Sequence, residues 1–181
     1  RLRTTNRRIF AIGDVVGPYR FTHMAGYQAG IVLRNILFRL PAKAKYQAVP
    51  WVTYTDPELA HVGLSEAGAR RAYIKFQILR HPFAENDRAV AEGKTAGLIK
   101  VVVTPGGRIL GASIAGAHAG ELIHAWSLAV SRRLKISAIA QTITPYPTFS
   151  EVSTRAAGSF YAPKLFSPRT KRIVRFLQRF G

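Results

Sequence analysis

The segment TITPYPTFSEV, residues 142–152, carries two side chains that can act on a substrate, Tyr146 and Glu151. A tyrosine hydroxyl ionises only at a pH of about 10, so at neutral pH it acts as a hydrogen-bond donor. An ionised carboxylate can only accept. The pair therefore offers one donor and one acceptor within six residues of sequence, and general acid–base work at neutral pH would need a group that titrates lower.

The same segment has the features of a helix start. Thr148 and Glu151 have the spacing of a capping box, in which the threonine hydroxyl accepts from the third helical amide and the glutamate reaches back to the cap. Pro147 disfavours a helical conformation at Tyr146. We predict a helix over residues 149–158, and on local grounds Tyr146 is only the residue before it. A role in chemistry depends on the rest of the chain.

Composition excludes several kinds of site. The 181 residues are 48% hydrophobic, which is enough for a core, and they include no cysteine, so disulfides, thiolate metal sites and cysteine nucleophiles are excluded within this chain. No signal peptide or membrane-spanning run is evident, and the sequence predicts a soluble, cytoplasmic protein. The five histidines lack metal-ligand spacing, and no metal site is predicted.

The net charge is +18, from 27 lysines and arginines against nine acids. Such an excess makes binding to nucleic acid or to an anionic membrane a hypothesis. The basic residues are spread along the chain, however, and match no nucleic-acid reader motif. Two phosphate-binding motifs are also absent: EGKT at residues 92–95 lacks the required glycine because position 88 is Arg88, and no Gly-x-Gly-x-x-Gly occurs.

The first 45 residues predict one strand and one helix. RRIFAIGDVV, residues 7–16, is an apolar run that ends in a Gly-Asp turn and indicates a buried strand. Residues 22–38 have apolar and small residues at helical spacing. Pro41 and the polar residues after it break that pattern, and we place a domain boundary near Lys45.

The remaining chain predicts an α+β fold, an antiparallel sheet packed with helices. An extended run turns at Asp56-Pro57, a short helix follows Ser65, and three strands are expected within residues 73–83, 97–105 and 108–116, the last two joined by a hairpin turn at residues 105–107. Two helices are expected within residues 120–134 and 136–143. Residues 161–181 form a basic tail whose apolar face, Ile173, Leu177 and Phe180, either docks on the domain or contacts a membrane or partner.

IFAIGDVV, with RLRTTN before it and THMAGYQAG after it, resembles the second flavin-binding signature of the class I pyridine nucleotide-disulfide oxidoreductases. This family includes dihydrolipoamide dehydrogenase and mercuric reductase. The resemblance implies that Gly13 lets the backbone approach FAD and that Asp14 binds a ribitol hydroxyl. It also implies that the start of the following helix, with Thr22, His23 and Ala25, lies at the flavin-pyrophosphate region.

Later motifs resemble, in order, the dimerisation domain of the same family: VPWVTYTDPELAHVGLSE, PFAENDRAVAEG, GLIKVV, GGRILGASIAGAHAGELI and PYPTFSEV. The resemblance implies three parts: residues 1–45 from an FAD-binding domain, residues 46–160 as the dimerisation domain and residues 161–181 as the tail. It further implies a homodimer, a C-terminal part of a longer enzyme that uses FAD and NAD(P)H, and a chain that is inactive by itself.

In this family, a His-Pro-Thr segment with a downstream glutamate reaches the flavin-disulfide site of the other subunit. Tyr146 occupies the position of the histidine here, and Glu151 that of the glutamate. The resemblance therefore implies a catalytic pair, Tyr146 and Glu151, that acts across the dimer interface, without the histidine that shuttles protons. The tyrosine is closer to the mercuric reductase branch, although this chain lacks that branch's C-terminal cysteine pair. Two alternatives stay open: a dimerisation module without catalysis, and a basic binder of nucleic acid or membrane.

Overall fold

The computed structural model describes residues 1–72 and 74–179. Tyr73, at the start of one predicted strand, and Phe180, on the predicted apolar face of the tail, lie outside the described residues. The chain divides into two compact units, Arg1–Val49 and a second that begins at Pro50. Within the described part of the chain, no helix is both long enough and apolar enough to cross a membrane.

The first unit is organised around helix α1, Thr22–Leu37, which confirms the helix predicted there. Met24, Gln28 and Ile31 are its buried residues, and their spacing of four and three places them on one face. The apolar periodicity of the sequence therefore identified both the helix and its buried side.

The buried strand predicted for residues 7–16 is wrong. Gly13–Val16 form a short 3-10 helix, and a single isolated bridge joins Phe10 to Arg3. Ile9 and Val15 are 53% and 81% exposed. A strand needs neighbours that pair with its backbone and cover its side chains, and within the described residues of this unit only the chain around Arg3 pairs with it.

The second unit contains a five-stranded antiparallel sheet in the order β1-β2-β5-β4-β3. Its strands are β1 Trp51–Thr53, β2 Glu58–Gly63, β3 Gln77–Pro82, β4 Leu98–Val103 and β5 Ile109–Gly116. The predicted hairpin turn links β4 to β5, and Gly107 adopts the φ of +82° that such a turn requires. The α+β prediction is confirmed for this unit.

One face of the sheet forms the core. The register aligns Ala60, Ile114 and Ile99 in one row across three strands, and each of the three is fully buried. Helix α4 packs against β2 and β5, and helix α6 packs against β3 and β4. The alternation of period two along the strands therefore places one set of side chains beneath the helices and the other set outside.

Seven helices accompany this sheet in the described residues: α2 Glu66–Arg71, α3 Asp87–Ala91, α4 Ala119–Ser131, α5 Ile136–Ala140, α6 Glu151–Gly158, α7 Ala162–Leu165 and α8 Pro168–Leu177. Helix α4 ends three residues before the predicted Leu134. Arg133 adopts a positive φ of 54°, and the Leu134 carbonyl accepts a hydrogen bond from Ile109 N–H at 3.0 Å. Pairing with β5 thus ends the helix early.

The expectation that the terminal helix docks on the domain is wrong for the described residues. No residue of α8 is buried, and Ile173 and Leu177 are 49% and 61% exposed. Docking requires an apolar surface to receive that face, and among the elements of the described residues only α7 packs closely with α8. Its apolar face is consequently left open.

Candidate active-site loop

The loop of residues 142–150 connects α5 to α6 and carries Tyr146 at its middle. Its C-terminal end is fixed by Phe149, which is 8% exposed. The Phe149 ring lies 6.0 Å from the Phe83 ring and 4.8 Å from the His118 ring, between centroids. These separations are typical of stabilising aromatic pairs, so the loop is held against the core close to Tyr146.

Asn86 holds the same loop through its backbone. This side chain is only 3% exposed, and its Oδ1 accepts from Ala89 N–H at 2.9 Å, which caps α3. Its Nδ2 donates to the Thr148 carbonyl at 3.1 Å. A buried amide without hydrogen-bond partners would destabilise the fold. Both ends of the Asn86 amide have a partner, one at the start of α3 and one in the loop.

Tyr146 lies at the surface, 70% exposed, and its hydroxyl donates to Asp87 Oδ2 at 3.1 Å. That hydrogen bond raises the pKa of Tyr146 above its usual value. The negative charge of Asp87, desolvation and the charge of Glu151 raise this pKa further, in that order. A phenol with a raised pKa stays protonated at neutral pH and serves as a donor, never as the base.

Replacing Asp87 with asparagine is expected to bring the pKa of Tyr146 back toward about 10. The folded chain holds this proton more tightly than the unfolded chain. The hydrogen bond to Asp87 therefore stabilises the fold fully at pH values below the Tyr146 pKa of the unfolded chain. This stabilisation is lost as the pH rises through the Tyr146 pKa of the folded chain. NMR titration of ring-labelled tyrosine measures the change, with the exposed Asp56→Asn as control. An unchanged Tyr146 titration in Asp87→Asn would exclude the hydrogen bond as the cause.

The predicted capping box is half correct. Glu151 Oε2 accepts from Thr148 N–H at 3.4 Å, as expected. The Thr148 hydroxyl instead donates to the Pro145 carbonyl at 2.7 Å, and α6 begins at Glu151, two residues later than predicted. The amide of Glu151 already donates to the Thr148 carbonyl at 3.4 Å, so the hydroxyl is left to tighten the loop.

Helix α6 is fixed by contacts from both sides. Trp126 of α4 is fully buried, and its Nε1–H donates to Ser153 Oγ at 3.0 Å. The hydroxyls of Thr144 and Thr154 lie 2.6 Å apart and share a hydrogen bond. An open cavity of about 490 Å³ lies beside this end of the helix; its lining is Thr144, Glu151, Thr154, Arg155 and Gly158. Glu151 therefore lies at the edge of an open space beside the loop.

The residues predicted to bind the cofactor all lie in the first unit. Gly13 has a φ of +74°, and its N–H donates to Gln28 Oε1 at 2.7 Å. Asp14, at the start of the 3-10 helix, is exposed. This turn fits the flavin site that the resemblance implies, because it combines a glycine that allows close backbone approach with an accessible carboxylate.

The other three cofactor candidates lie in the first turn of α1, where Thr22 and His23 are exposed and Ala25 is half-buried. The His23 ring stacks on Phe21, with centroids 5.1 Å apart. The backbone of this turn has no side-chain cap, which is the arrangement that can receive an anionic group.

Sequence reasoning missed three residues that build these sites: Asn86, Asp87 and Gln28. Gln28 is 3% exposed and receives the Gly13 amide. Asn86 and Asp87 lie within PFAENDRAVAEG, a motif noted in the sequence without a role for either residue. The sequence could have indicated Asn86 as an N-cap, because an asparagine directly before a helix whose first residue is acidic is typical of that position.

Comparison with known proteins agrees with this architecture. The family model of the pyridine nucleotide-disulphide oxidoreductase dimerisation domain matches residues 49–157. A dihydrolipoyl dehydrogenase of Chlamydia trachomatis is 36% identical over 172 residues, which cover 94% of this chain and 37% of that protein. A mercuric reductase of Staphylococcus aureus is 37% identical over 162 residues, covering 88% and 29%. The HOCl-induced flavoprotein disulfide reductase RclA from Escherichia coli has a TM-score of 0.78 at 28% identity, covering 87% and 37%.

The second unit is thus an α+β dimerisation domain that presents an anchored loop. The chain belongs to the pyridine nucleotide-disulphide oxidoreductase family, which confirms the resemblance seen in its motifs. It spans 37% of the length of the dihydrolipoyl dehydrogenase and 29% of the mercuric reductase.

Proposed function

We propose that this chain is the C-terminal part of an FAD-dependent NAD(P)H oxidoreductase. Its dimerisation domain forms the homodimer and presents Tyr146 to the flavin and substrate site of the partner subunit. The observation that supports this most is the combination of an exposed Tyr146 with a loop fixed at Phe149 and Thr148. A side chain that is open to solvent on a fixed backbone is positioned to contact a ligand.

Tyr146 acts in this proposal as a hydrogen-bond donor to the substrate or to the group that is reduced. Its hydroxyl exchanges Asp87 for the substrate, and its raised pKa keeps the proton in place. A histidine would accept and return a proton near neutral pH, whereas this tyrosine polarises and orients. The proposed substrate therefore accepts a hydrogen bond from Tyr146, and any protons that the reaction consumes come from a group other than Tyr146.

Glu151 has a supporting role. Its carboxylate accepts from Thr148 N–H and so holds the loop backbone two residues after Tyr146. Glu151 also lines the open cavity beside α6. We assign Glu151 to positioning of the loop and to ligand contact at that cavity.

The first unit supplies part of the flavin site. Bound FAD would carry electrons from NAD(P)H to the substrate. Asp14 would hold a ribitol hydroxyl, Gly13 would allow close backbone approach, and the α1 start at Thr22, His23 and Ala25 would face the pyrophosphate region. The rest of the cofactor site would come from the part of the complete protein that corresponds to the unmatched length of the relatives.

The test is the absorbance spectrum of the complete purified protein, before and after NADH or NADPH is added. We expect a flavin spectrum that is bleached by one of the two nucleotides. A colourless protein that forms a stable dimer would contradict the proposal and favour a dimerisation module without catalysis.

Asp14→Ala is expected to lower FAD retention by about tenfold or more, because the cofactor loses a charge-assisted hydrogen bond. The flavin-to-protein absorbance ratio after gel filtration measures this. The exposed Asp56, which lies in the other unit, provides the matched control Asp56→Asn. Unchanged flavin content in Asp14→Ala would remove Asp14 from the site.

A further inference from the structure

Helix α8, Pro168–Leu177, carries apolar residues along one side and most of its charged residues on the others, with Arg169 one turn before Ile173 at the end of the apolar side. Ile173 and Leu177 are one helical turn apart, and Val174 lies three residues before Leu177, so these three share a face. Lys171 and Arg175 are likewise one turn apart on the other side. A short helix with a basic face and an apolar face is the pattern of a segment that lies in an interface.

The apolar face of α8 is open to solvent. The exposed fractions of its side chains are 49% for Ile173, 45% for Val174 and 61% for Leu177. Leu165 and Phe166, just before the helix, are 60% and 73% exposed. Exposed apolar side chains grouped on one surface indicate a site that binds another protein or a membrane.

The charged residues in the sequence that follows Glu151 all have one sign. The sequence contains no aspartate or glutamate after Glu151. The cations that accompany the face are Lys164, Arg169, Lys171, Arg172, Arg175 and Arg179. The occupant of this surface must therefore offer both negative charge and an apolar phase.

The start of the helix is stabilised by residues of the same segment, and the helix lies beyond the residues that the family model matches. Ser167 Oγ accepts from Thr170 N–H at 3.2 Å as an N-cap, and Pro168 occupies the first turn. The family model ends at residue 157, ten residues before Ser167. The helix thus lies outside the residues that the dimerisation-domain model matches.

We propose that α8 lies in the surface of an anionic phospholipid bilayer, with Ile173, Val174 and Leu177 in the acyl boundary and its cations at the headgroups. Anionic lipid supplies negative charge and an apolar phase together. A nucleic acid satisfies the cations alone and leaves the apolar face in water. The chain would then be a peripheral protein, attached through its tail.

Flotation of the 181-residue chain with vesicles tests this. Binding to phosphatidylcholine vesicles that contain phosphatidylserine is expected to be at least about tenfold tighter than binding to phosphatidylcholine alone. Ile173→Gln with Leu177→Gln, which keeps every charge, and Lys171→Gln with Arg175→Gln, which keeps the apolar face, should each weaken it by about tenfold or more.

The matched control is Lys75→Gln with Lys94→Gln, two exposed lysines elsewhere, which removes the same net charge and should leave vesicle binding within about twofold. Circular dichroism checks that each variant is folded. Equal losses in this control and in the Lys171/Arg175 variant would overturn the proposal, as would full binding by the Ile173/Leu177 variant. Absence of vesicle binding together with tight binding of a DNA duplex would also overturn it.

Discussion

Replacing Trp126 with alanine is expected to lower the free energy of unfolding by about 3–5 kcal/mol. Trp126 is fully buried and belongs to α4, which packs against β2 and β5, so its removal leaves a cavity and forfeits the largest fully buried side chain in the described residues. It also takes away the donor to Ser153 Oγ, and Ser153, which is only 7% exposed, would lose that hydrogen bond.

Urea unfolding followed by circular dichroism measures this loss. Trp126→Phe is the matched control, because it retains a ring and much of the packing while losing the same hydrogen bond, and it should cost less than the alanine variant. A loss below about 1 kcal/mol for Trp126→Ala would contradict the full burial of Trp126 and its hydrogen bond to Ser153.

Tyr146→Phe in the complete enzyme is expected to lower kcat/KM for the substrate by about tenfold to a hundredfold. The variant keeps the ring and loses only the hydroxyl that donates to Asp87. Because Phe149 and Thr148 still anchor the loop, its backbone should stay in place. A lower kcat/KM would then result from the loss of the hydroxyl donor and not from displacement of the loop.

Lipoamide and mercuric ion serve as the probe substrates, chosen because two relatives carry the names dihydrolipoyl dehydrogenase and mercuric reductase. Stopped-flow absorbance separates reduction of the flavin by NAD(P)H from its reoxidation by the substrate. Reduction should stay within about twofold of wild type while reoxidation slows. Tyr54→Phe, at a tyrosine that is 80% exposed, is the control and should alter neither step.

The sheet could be predicted because its strands carry local signals. In β5, ILGASIAG, the inward residues Ala112 and Ile114 alternate with outward Ser113, and the Pro-Gly-Gly turn before it fixes the hairpin. The strand predicted at residues 7–16 has a similar apolar pattern but lacks neighbouring strands within the described residues of its unit. An apolar pattern indicates which side chains a segment can bury. Whether they are buried depends on a neighbouring strand or helix that covers them.

The anchors of the Tyr146 loop could not be predicted from spacing. Asp87 and Tyr146 are 59 positions apart, and Asn86 and Thr148 are 62 apart, so no periodicity connects them. The capping box could be predicted at Glu151 because it depends on a spacing of three. The direction of the Thr148 hydroxyl depends on which backbone carbonyl is nearest, and only the folded loop decides that.

The proposal that Tyr146 serves the flavin site of the partner subunit is tested most directly by mixed dimers. Subunits with Tyr146→Phe are co-expressed with subunits that carry Asp14→Ala, each inactive or nearly so as a homodimer. About half of the dimers form from one of each under random pairing. If Tyr146 acts across the interface, each mixed dimer has one site with an intact flavin and an intact tyrosine.

We expect the mixed preparation to regain about one quarter of wild-type activity toward the probe substrate, since one site of two is restored in about half of the dimers. Differently tagged subunits allow the mixed dimer to be isolated and assayed alone. Activity no higher than the average of the two parent homodimers would contradict the account and place Tyr146 at its own subunit's flavin or away from the reaction.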